Sequence, residues 1–280
     1  MISASEEDFI KDHAYVPEHI PGYVQTISRG EPFLLKDYLC YQAEGFIIFV
    51  GYPLKNSFDE NKMREILQSA IRRFKPVRVA LLSRPVALQP GHPRQLDHYY
   101  RLDMTNLRIP SKVKNMVQRA GRELSIEMGG KFSEEHRGLI ADFLASHPVD
   151  EGTRYIFERI PDYVESGSSA ILFNARNPAG ELAGFDVADF GARDWAFYMF
   201  NFRSSQSYVP GVSDLLLRSL IIETQRQGKS SLNLGLGINP KVAFFKKKWG
   251  GLPFLDHQFL VYRPSPPSLF GSLLQGFLKE

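Results

Sequence analysis

The sequence predicts a mixed α/β protein made of two copies of one unit, each a strand, a helix and a second strand. Three observations carry this reading. Short β-branched or aromatic runs alternate with amphipathic helical periods along the chain. The order strand, helix, strand occurs over residues 46–50, 60–74 and 77–83, and again with similar spacing over 195–202, 213–227 and 231–236. Ahead of the second copy, three strand-like runs are joined by turns short enough for an antiparallel meander. With 280 residues, 43% of them hydrophobic and 23% charged, the chain has room for two domains. A new phase of the pattern begins at Pro110 and Ser111, which divides residues 1–110 from 111–280.

Residues 1–44 give no clear period, and the prolines Pro17 and Pro21 mark an irregular lead-in. Gly45 to Tyr52 is a buried strand by its length and β-branched content. Ser57 and Glu60 form a capping-box pattern ahead of a helix ending at Phe74, whose inner face is Met63, Ile66, Leu67, Ala70, Ile71 and Phe74. Val77 to Ser83 and His98 to Met104 are strands separated by a turn containing Pro85, Pro90 and Pro93. A short helix comes next, with Val113, Met116, Val117 and Ala120 inward and Lys112, Lys114, Arg119 and Arg122 outward, then a second from Glu134 to Ser146. Ser168 to Asn174, Leu182 to Phe190 and Trp195 to Phe202 form the meander.

Residues 208–251 organise the rest. Pro210 and Gly211 break the preceding strand, Ser213 is placed as an N-cap, and an almost wholly apolar helix runs on to Gly228. Leu232, Leu234 and Leu236 then alternate with Asn233, Gly235 and Gly237, so a ligand or a second backbone can approach the bare face closely. Asn239 and Pro240 open a helix carrying Lys241, Lys246, Lys247 and Lys248, closed by Gly250 and Gly251. This stretch has five more basic than acidic side chains, against a net charge of +3 for the whole chain, so the remainder is slightly acidic. Phe254 to Tyr262 is a last strand. After Pro264, Pro266 and Pro267 comes an amphipathic C-terminal helix with Leu269, Phe270, Leu273, Leu274, Phe277 and Leu278 on one face, expected to dock on the body.

Composition excludes several classes. The apolar run from Gly45 to Tyr52 is far shorter than the ~20 residues of a membrane helix. The start at Ser5, Glu6, Glu7 and Asp8 is too acidic for a signal peptide, so a cytoplasmic protein is expected. A single cysteine, Cys40, excludes an internal disulfide and a cysteine-ligated cluster, and no two of the seven histidines have i, i+4 spacing, so no metal site is expected. Gly235 to Pro240 imitates a dinucleotide fingerprint, but Pro240 replaces the third glycine and no further βαβ unit succeeds it. Gly211 to Leu215 approaches a nucleophile elbow without its last glycine, and only His257 is at hand to complete a triad.

Anion and acyl chemistry remain. Backbone N–H groups from Val212 to Leu215 carry the positive end of a helix dipole, which suits a phosphate as well as plain capping, though Asp214 opposes an anion there. Asp186 and Asp189 lie on opposite faces of their strand by parity, so at most one points into a cleft as a base. Tyr198 is either a general acid or a wall residue, and the lysine run around Lys246 reads by itself as a solvated helix face.

These residues resemble a known superfamily. Antiparallel meander, helix, strand, helix, strand is the order of the GNAT acyltransferase core. Asn201 to Arg203, Pro210 to Leu216, Gly228 and Leu232 to Leu236 resemble the catalytic domain of phosphatidylglycerol lysyltransferases. Phe245 to Gly250 resembles the F-K-x-x-aromatic-G segment of Fem-type peptidoglycan aminoacyltransferases, and Asn115 to Arg122 their basic helix. The resemblance implies two tandem GNAT-like domains, with a degenerate non-catalytic first copy, since that copy lacks the Pro-Gly and the basic helix. It implies transfer of an acyl or aminoacyl group from acyl-CoA or aminoacyl-tRNA to an amine or hydroxyl, with a lipid or cell-wall precursor as acceptor. It implies Lys246 at the chemistry, to which the strand reading adds Asp186 and Tyr198, and the expected donor-binding residues are Arg203, Gly211, Val212, Ser213, Asp214, Asn233, Gly235, Asn239 and Trp249. Tyr208 stands where the acyl-CoA pattern has Gln or Arg, which favours aminoacyl-tRNA. The alternative is a non-catalytic module of the same fold that binds RNA or an anionic lipid surface through Lys112, Lys114, Arg119 and the lysine helix.

Overall fold

A computed structural model describes residues 2–86, 95–166 and 169–264. The lead-in is ordered. Helix α1 (Ala4–His13) starts at a capping box formed by Ser3 and Glu6, and after a 3₁₀ turn at Pro17–His19 comes α2 (Pro21–Ser28). Strands β1 (Glu31–Leu35), β2 (Tyr38–Ala43) and β3 (Phe46–Val50) form an antiparallel meander, and α3 (Glu60–Phe74) crosses over to β4 (Arg78–Ser83), which lies parallel to β3. Asp59, not Ser57, caps α3, its carboxylate accepting from the Lys62 N–H at 3.1 Å. The β1–β2 turn carries no Asn-Gly signal because Lys36 itself takes the left-handed conformation (φ 56°).

Strand β5 (Gln95–Asp103) leads into α4 (Ser111–Ala120), β6 (Ser125–Met128), α5 (Glu134–Ser146), α6 (Glu151–Glu158) and α7 (Ile160–Glu165). On α4, Val113 and Ala120 are buried, but Met116 is exposed and lies against Gly211 rather than in the core. Strands β7 (Ala170–Arg176), β8 (Leu182–Asp189) and β9 (Trp195–Arg203) form the second antiparallel meander. Helix α8 (Val212–Arg226) crosses to β10 (Ser231–Leu236), parallel to β9, and α9 (Pro240–Lys248) precedes β11 (Leu252–Tyr262). The expected C-terminal helix and most of the proline turn after Val86 lie outside the described residues.

All eleven strands belong to one sheet, ordered β1-β2-β3-β4-β11-β5-β10-β9-β8-β7-β6. The repeat read from the sequence is visible in it: each unit has a meander, a crossover helix and one parallel pair. The last strand of each unit sits beside the other unit, β5 against β10 and β11 against β4, and the two pair with each other. Both crossover helices cover the same face. There α3 packs Met63, Ile66, Leu67 and Ala70 on Ile47, Phe49, Val79 and Leu81, while α8 packs Leu216, Leu217, Leu220 and Ile221 on Phe173, Ala188 and Leu232. The opposite face carries α1 and α2 against Leu39, Tyr41, Tyr99 and Leu255, and α5 to α7 against Phe185, Val187 and Phe202. Burying large aliphatic and aromatic side chains on both faces supplies the main stabilisation, roughly 1.5–3 kcal/mol for each one fully removed from water.

Candidate functional site

Strands β9 and β10 pair at Trp195–Ser231, Ala196–Leu232 and Phe197–Asn233, and then part. Irregularities on both sides open the gap. On β10 the register with β5 shifts between Asn233 and Leu236, at Gly235 (φ 76°). On β9 the register with β8 shifts between Phe200 and Tyr198. A bulge adds one residue and rotates the strand beyond it, so Leu236 leaves the face of Leu232 and Leu234 and joins the cluster around Tyr99. On β9, Tyr198 faces α8 with Ala196 by ordinary alternation, and the bulge after it turns Asn201, opposite Asp186, to the same face. The first unit has no such gap: β3 and β4 stay in register from Phe46–Arg78 to Val50–Leu82, and the Gly51 N–H still donates to the Leu82 carbonyl at 2.7 Å.

Lys246 sits where the strands part. A methyl group at Gly235 would lie at ordinary contact distance, 3.5 Å from its Nζ and 3.6 Å from the Tyr198 carbonyl oxygen, and it is the φ of 76° that favours glycine at this corner. The side chain is buried and its Nζ donates to the Leu236 carbonyl. Burial lowers its pKa from 10.5 to about 7, with Asp97 pulling the other way. Asp97, on β5, accepts from the N–H groups of Gly237 at 3.1 Å and Ile238 at 2.6 Å. These bonds hold Ile238, a β-branched residue 75% exposed, in the left-handed region (φ 57°).

Above the gap, α8 begins at Gly211 (φ 90°), which offers no side-chain cap. Ser213 is inside the helix and its Oγ donates to Asn201 Oδ1 at 3.1 Å. Asn201 Nδ2 in turn donates to Asp186 Oδ1 at 2.6 Å, and Asp186 Oδ2 is buried with no partner. Burial raises the Asp186 carboxyl well above its ordinary range. Tyr198 is half-buried, and its hydroxyl is pushed well up, chiefly by burial. Lys246 and Gly235 thus lie beside the Tyr198 backbone on one side of β9, and Ser213, Asn201 and Asp186 form a hydrogen-bonded chain on its other side, where β9 pairs with β8.

Other residues singled out in the sequence are placed differently. Asp214 accepts from the indole of the wholly buried Trp249 at 2.8 Å and from Lys248 at 2.7 Å, so these three tie α9 to α8. Asn233 is buried, donates to the Tyr15 carbonyl at 2.8 Å and accepts from the Gly235 N–H at 2.7 Å, which anchors the lead-in to the bulge. Asn239 caps α9, Val212 is core, and Arg203 lies on the Tyr208 ring at 5.3 Å. Asp189 is on the far face, held by Tyr163, Ser169 and the Gly191 N–H. Two residues of the corner had no role assigned from the sequence, Asn201 and Asp97. Asn201 was visible only as part of a strand end, and Asp97 reaches β10 from a distance in sequence that no local pattern encodes. Among the described residues, no group of His, Cys, Asp and Glu could hold a metal ion, and no helix is long and apolar enough to cross a membrane.

No family model matches the chain, and no curated protein matches it in sequence. Solved structures match along most of its length. L-PGS from Bacillus licheniformis aligns with a TM-score of 0.58 at 14% identity, covering 99% of this chain and 96% of that one. FemX aligns with a TM-score of 0.61 at 10% identity, covering 98% of each chain. A GCN5-related N-acetyltransferase from Kribbella flavida aligns with a TM-score of 0.52 at 11% identity, covering 88% of this chain and 94% of that one. At such identities the likeness concerns the fold, and that fold is the GNAT-like acyltransferase fold expected from the strand order.

Proposed function

We propose that the protein is an acyltransferase that moves an acyl or aminoacyl group from a phosphate-containing carrier, acyl-CoA or aminoacyl-tRNA, to an amine or hydroxyl acceptor. The observation that carries this reading is the gap between β9 and β10 with Lys246 at its apex, which the first unit lacks. The start of α8 has no side-chain cap, and its one first-turn carboxylate, Asp214, is taken up by Lys248 and Trp249, which suits a carrier phosphate, whereas α3 is capped by the carboxylate of Asp59. In the reaction the acceptor nitrogen or oxygen bonds to the acyl carbon, the bond from that carbon to the carrier sulfur or oxygen breaks, and the acceptor's proton ends on the released carrier. Lys246 meets negative charge developing on the acyl group or its carrier, and the Tyr198 hydroxyl hands a proton to the departing group. That structures carrying this fold include L-PGS, FemX and an N-acetyltransferase supports the reading.

Lys246→Ala and Lys247→Ala test it. Lys247 is exposed and Lys246 is buried at the apex. Loss of Lys246 should lower transfer on the order of a hundredfold, and loss of Lys247 hardly at all. Equal activities would defeat this assignment. They would favour the second reading, a non-catalytic module, which rests on the exposed Lys112, Lys114, Arg119, Lys241 and Lys247 and the exposed apolar Ile238, Phe244 and Leu252. Thermal shifts with acyl-CoA report the first reading, and salt-released retention on tRNA or on anionic vesicles reports the second.

A further inference from the structure

We propose that Asp186 serves the transfer as a neutral carboxyl group, donating a hydrogen bond from Oδ2 to the carbonyl oxygen of the acyl group, with Asn201 and Ser213 as the positioning residues that orient it. The assignment rests on the transferase reading above and names a role within its site.

The polarity of the chain fixes the proton. Asn201 Oδ1 can only accept, and it accepts from Ser213 Oγ, so its Nδ2 is the group that faces Asp186. Asp186 Oδ1 is therefore an acceptor, and the proton of a neutral carboxyl resides on Oδ2. That atom is the one left without a partner in a wholly buried side chain. Buried polar atoms in native structures are almost always satisfied, and an orphan calls for a specific reason. A ligand oxygen reaching it beneath the first turn of α8 would supply one. Only the Asn201 hydrogen bond favours ionisation; among the described residues no lysine, arginine or histidine forms an ion pair with Asp186, and burial, the larger effect, disfavours the charge.

The backbone aims this group at the donor side. Gly184, two residues earlier and on the same face of β8, lies so close under α8 that an added methyl group would sit 3.1 Å from Val212 Cγ2 and 2.9 Å from the Phe202 carbonyl oxygen. Asp186 is consequently held beneath the first turn of α8, where Ser213 reaches down to Asn201. As the acceptor adds to the acyl carbon, the carbonyl oxygen gains negative charge and its hydrogen bond from Oδ2 strengthens, while the proton stays on Asp186. A base at this position would instead have to be ionised before the acceptor arrives.

Asp186→Asn separates the two roles, because asparagine keeps the acceptor for Asn201 and puts an N–H where Oδ2–H was. The neutral-donor role predicts a loss of about tenfold in kcat, whereas loss of a general base costs on the order of a thousandfold. Asp186→Leu, which has neither group, should lose at least about a hundredfold. Asn201→Leu should lower kcat with KM little changed. Independently of activity, the infrared difference spectrum of parent minus Asp186→Asn at neutral pH should contain a protonated carboxylic C=O stretch, and this band should shift when an acyl donor binds. A thousandfold loss in a normally folded Asp186→Asn protein without that band overturns the proposal in favour of a base, and full activity of Asp186→Leu overturns it in favour of a bystander. If the parent transfers nothing from either carrier, the transferase reading falls and the proposal with it. A protonated band in that case records only the state of the buried acid.

Discussion

Lys246→Met should make the protein more stable in mild acid and remove a pH dependence that the parent shows. The parent's amine is only 4% exposed, and its pKa falls from 10.5 to about 7, chiefly through burial. At 1.36 kcal/mol per pH unit this corresponds to at most about 5 kcal/mol of free energy lost by keeping the charged form inside. Below pH 7 the amine is protonated in both folded and unfolded chains, and the whole cost is present. As pH rises through 7 the folded chain releases the proton while the unfolded chain holds it to about pH 10, so the parent gains stability across that window. Methionine has no proton to bind, which abolishes the gain, but it leaves the Leu236 carbonyl without its donor at a cost of about 1 kcal/mol. The variant should thus be several kcal/mol more stable than the parent at pH 6 and no more stable near pH 9.5. Urea unfolding monitored by fluorescence of the buried Trp249, at four pH values between those limits, gives the difference curve. A curve that is flat, or in which the variant gains on the parent as pH rises, would refute the argument. The variant should also be less active while being more stable, the opposition expected of a group that the fold tolerates for function.

Two further outcomes concern the same corner. Asp214→Ala leaves the Trp249 indole and the Lys248 amine without their acceptor and should cost about 3–5 kcal/mol by denaturation; adding Trp249→Phe should cost much less in that background than in the parent, since the two share one hydrogen bond. Gly211→Ala places a methyl group 2.9 Å from Met116 Cγ at a φ of 90°, which should lower stability by about 2 kcal/mol, and Met116→Ala should recover only part of this because the backbone strain remains.

The repeat, the meander and the basic stretch were legible because each is local: a period of two or of about 3.6 residues, punctuated by glycine and proline. Where the sequence misled, the cause lies in contacts distant along the chain. Leu232, Leu234 and Leu236 alternate perfectly as letters, yet the bulge at Gly235 turns Leu236 away, and the bulge is held by Asn233 bonding the Gly235 N–H and the Tyr15 carbonyl. Ser213 has the residue type of an N-cap, but the cap position falls two residues earlier, at Gly211, and frees the hydroxyl for Asn201. The strand β6 is almost wholly exposed, so no alternation marked it. The lysine run was ambiguous between a solvated face and a buried charge; the structure contains both, with Lys241 and Lys247 in water and Lys246 inside.

The exchange of last strands explains why a unit without a gap of its own still belongs to the site. By chain order β5 is part of the first unit, yet it is the antiparallel neighbour of β10 and carries Asp97, whose carboxylate holds Gly237 and Ile238 in the turn that leads into α9. Release of that turn would let α9 move, and with it Lys246, whose amine is held by burial, by the Leu236 carbonyl and by the nearby Asp97 charge. The lead-in acts in the same sense from the opposite face, since the Tyr15 carbonyl holds Asn233 at the last paired position before the strands part. Three segments far apart in sequence thus fix the width of one gap. A preorganised site needs its charged group held to within about half an ångström, and rigid strands do this better than loops. The first unit has no gap, since β3 stays paired with β4 and Asp59 caps α3, yet β5 lies beside β10 and holds the turn next to the candidate site.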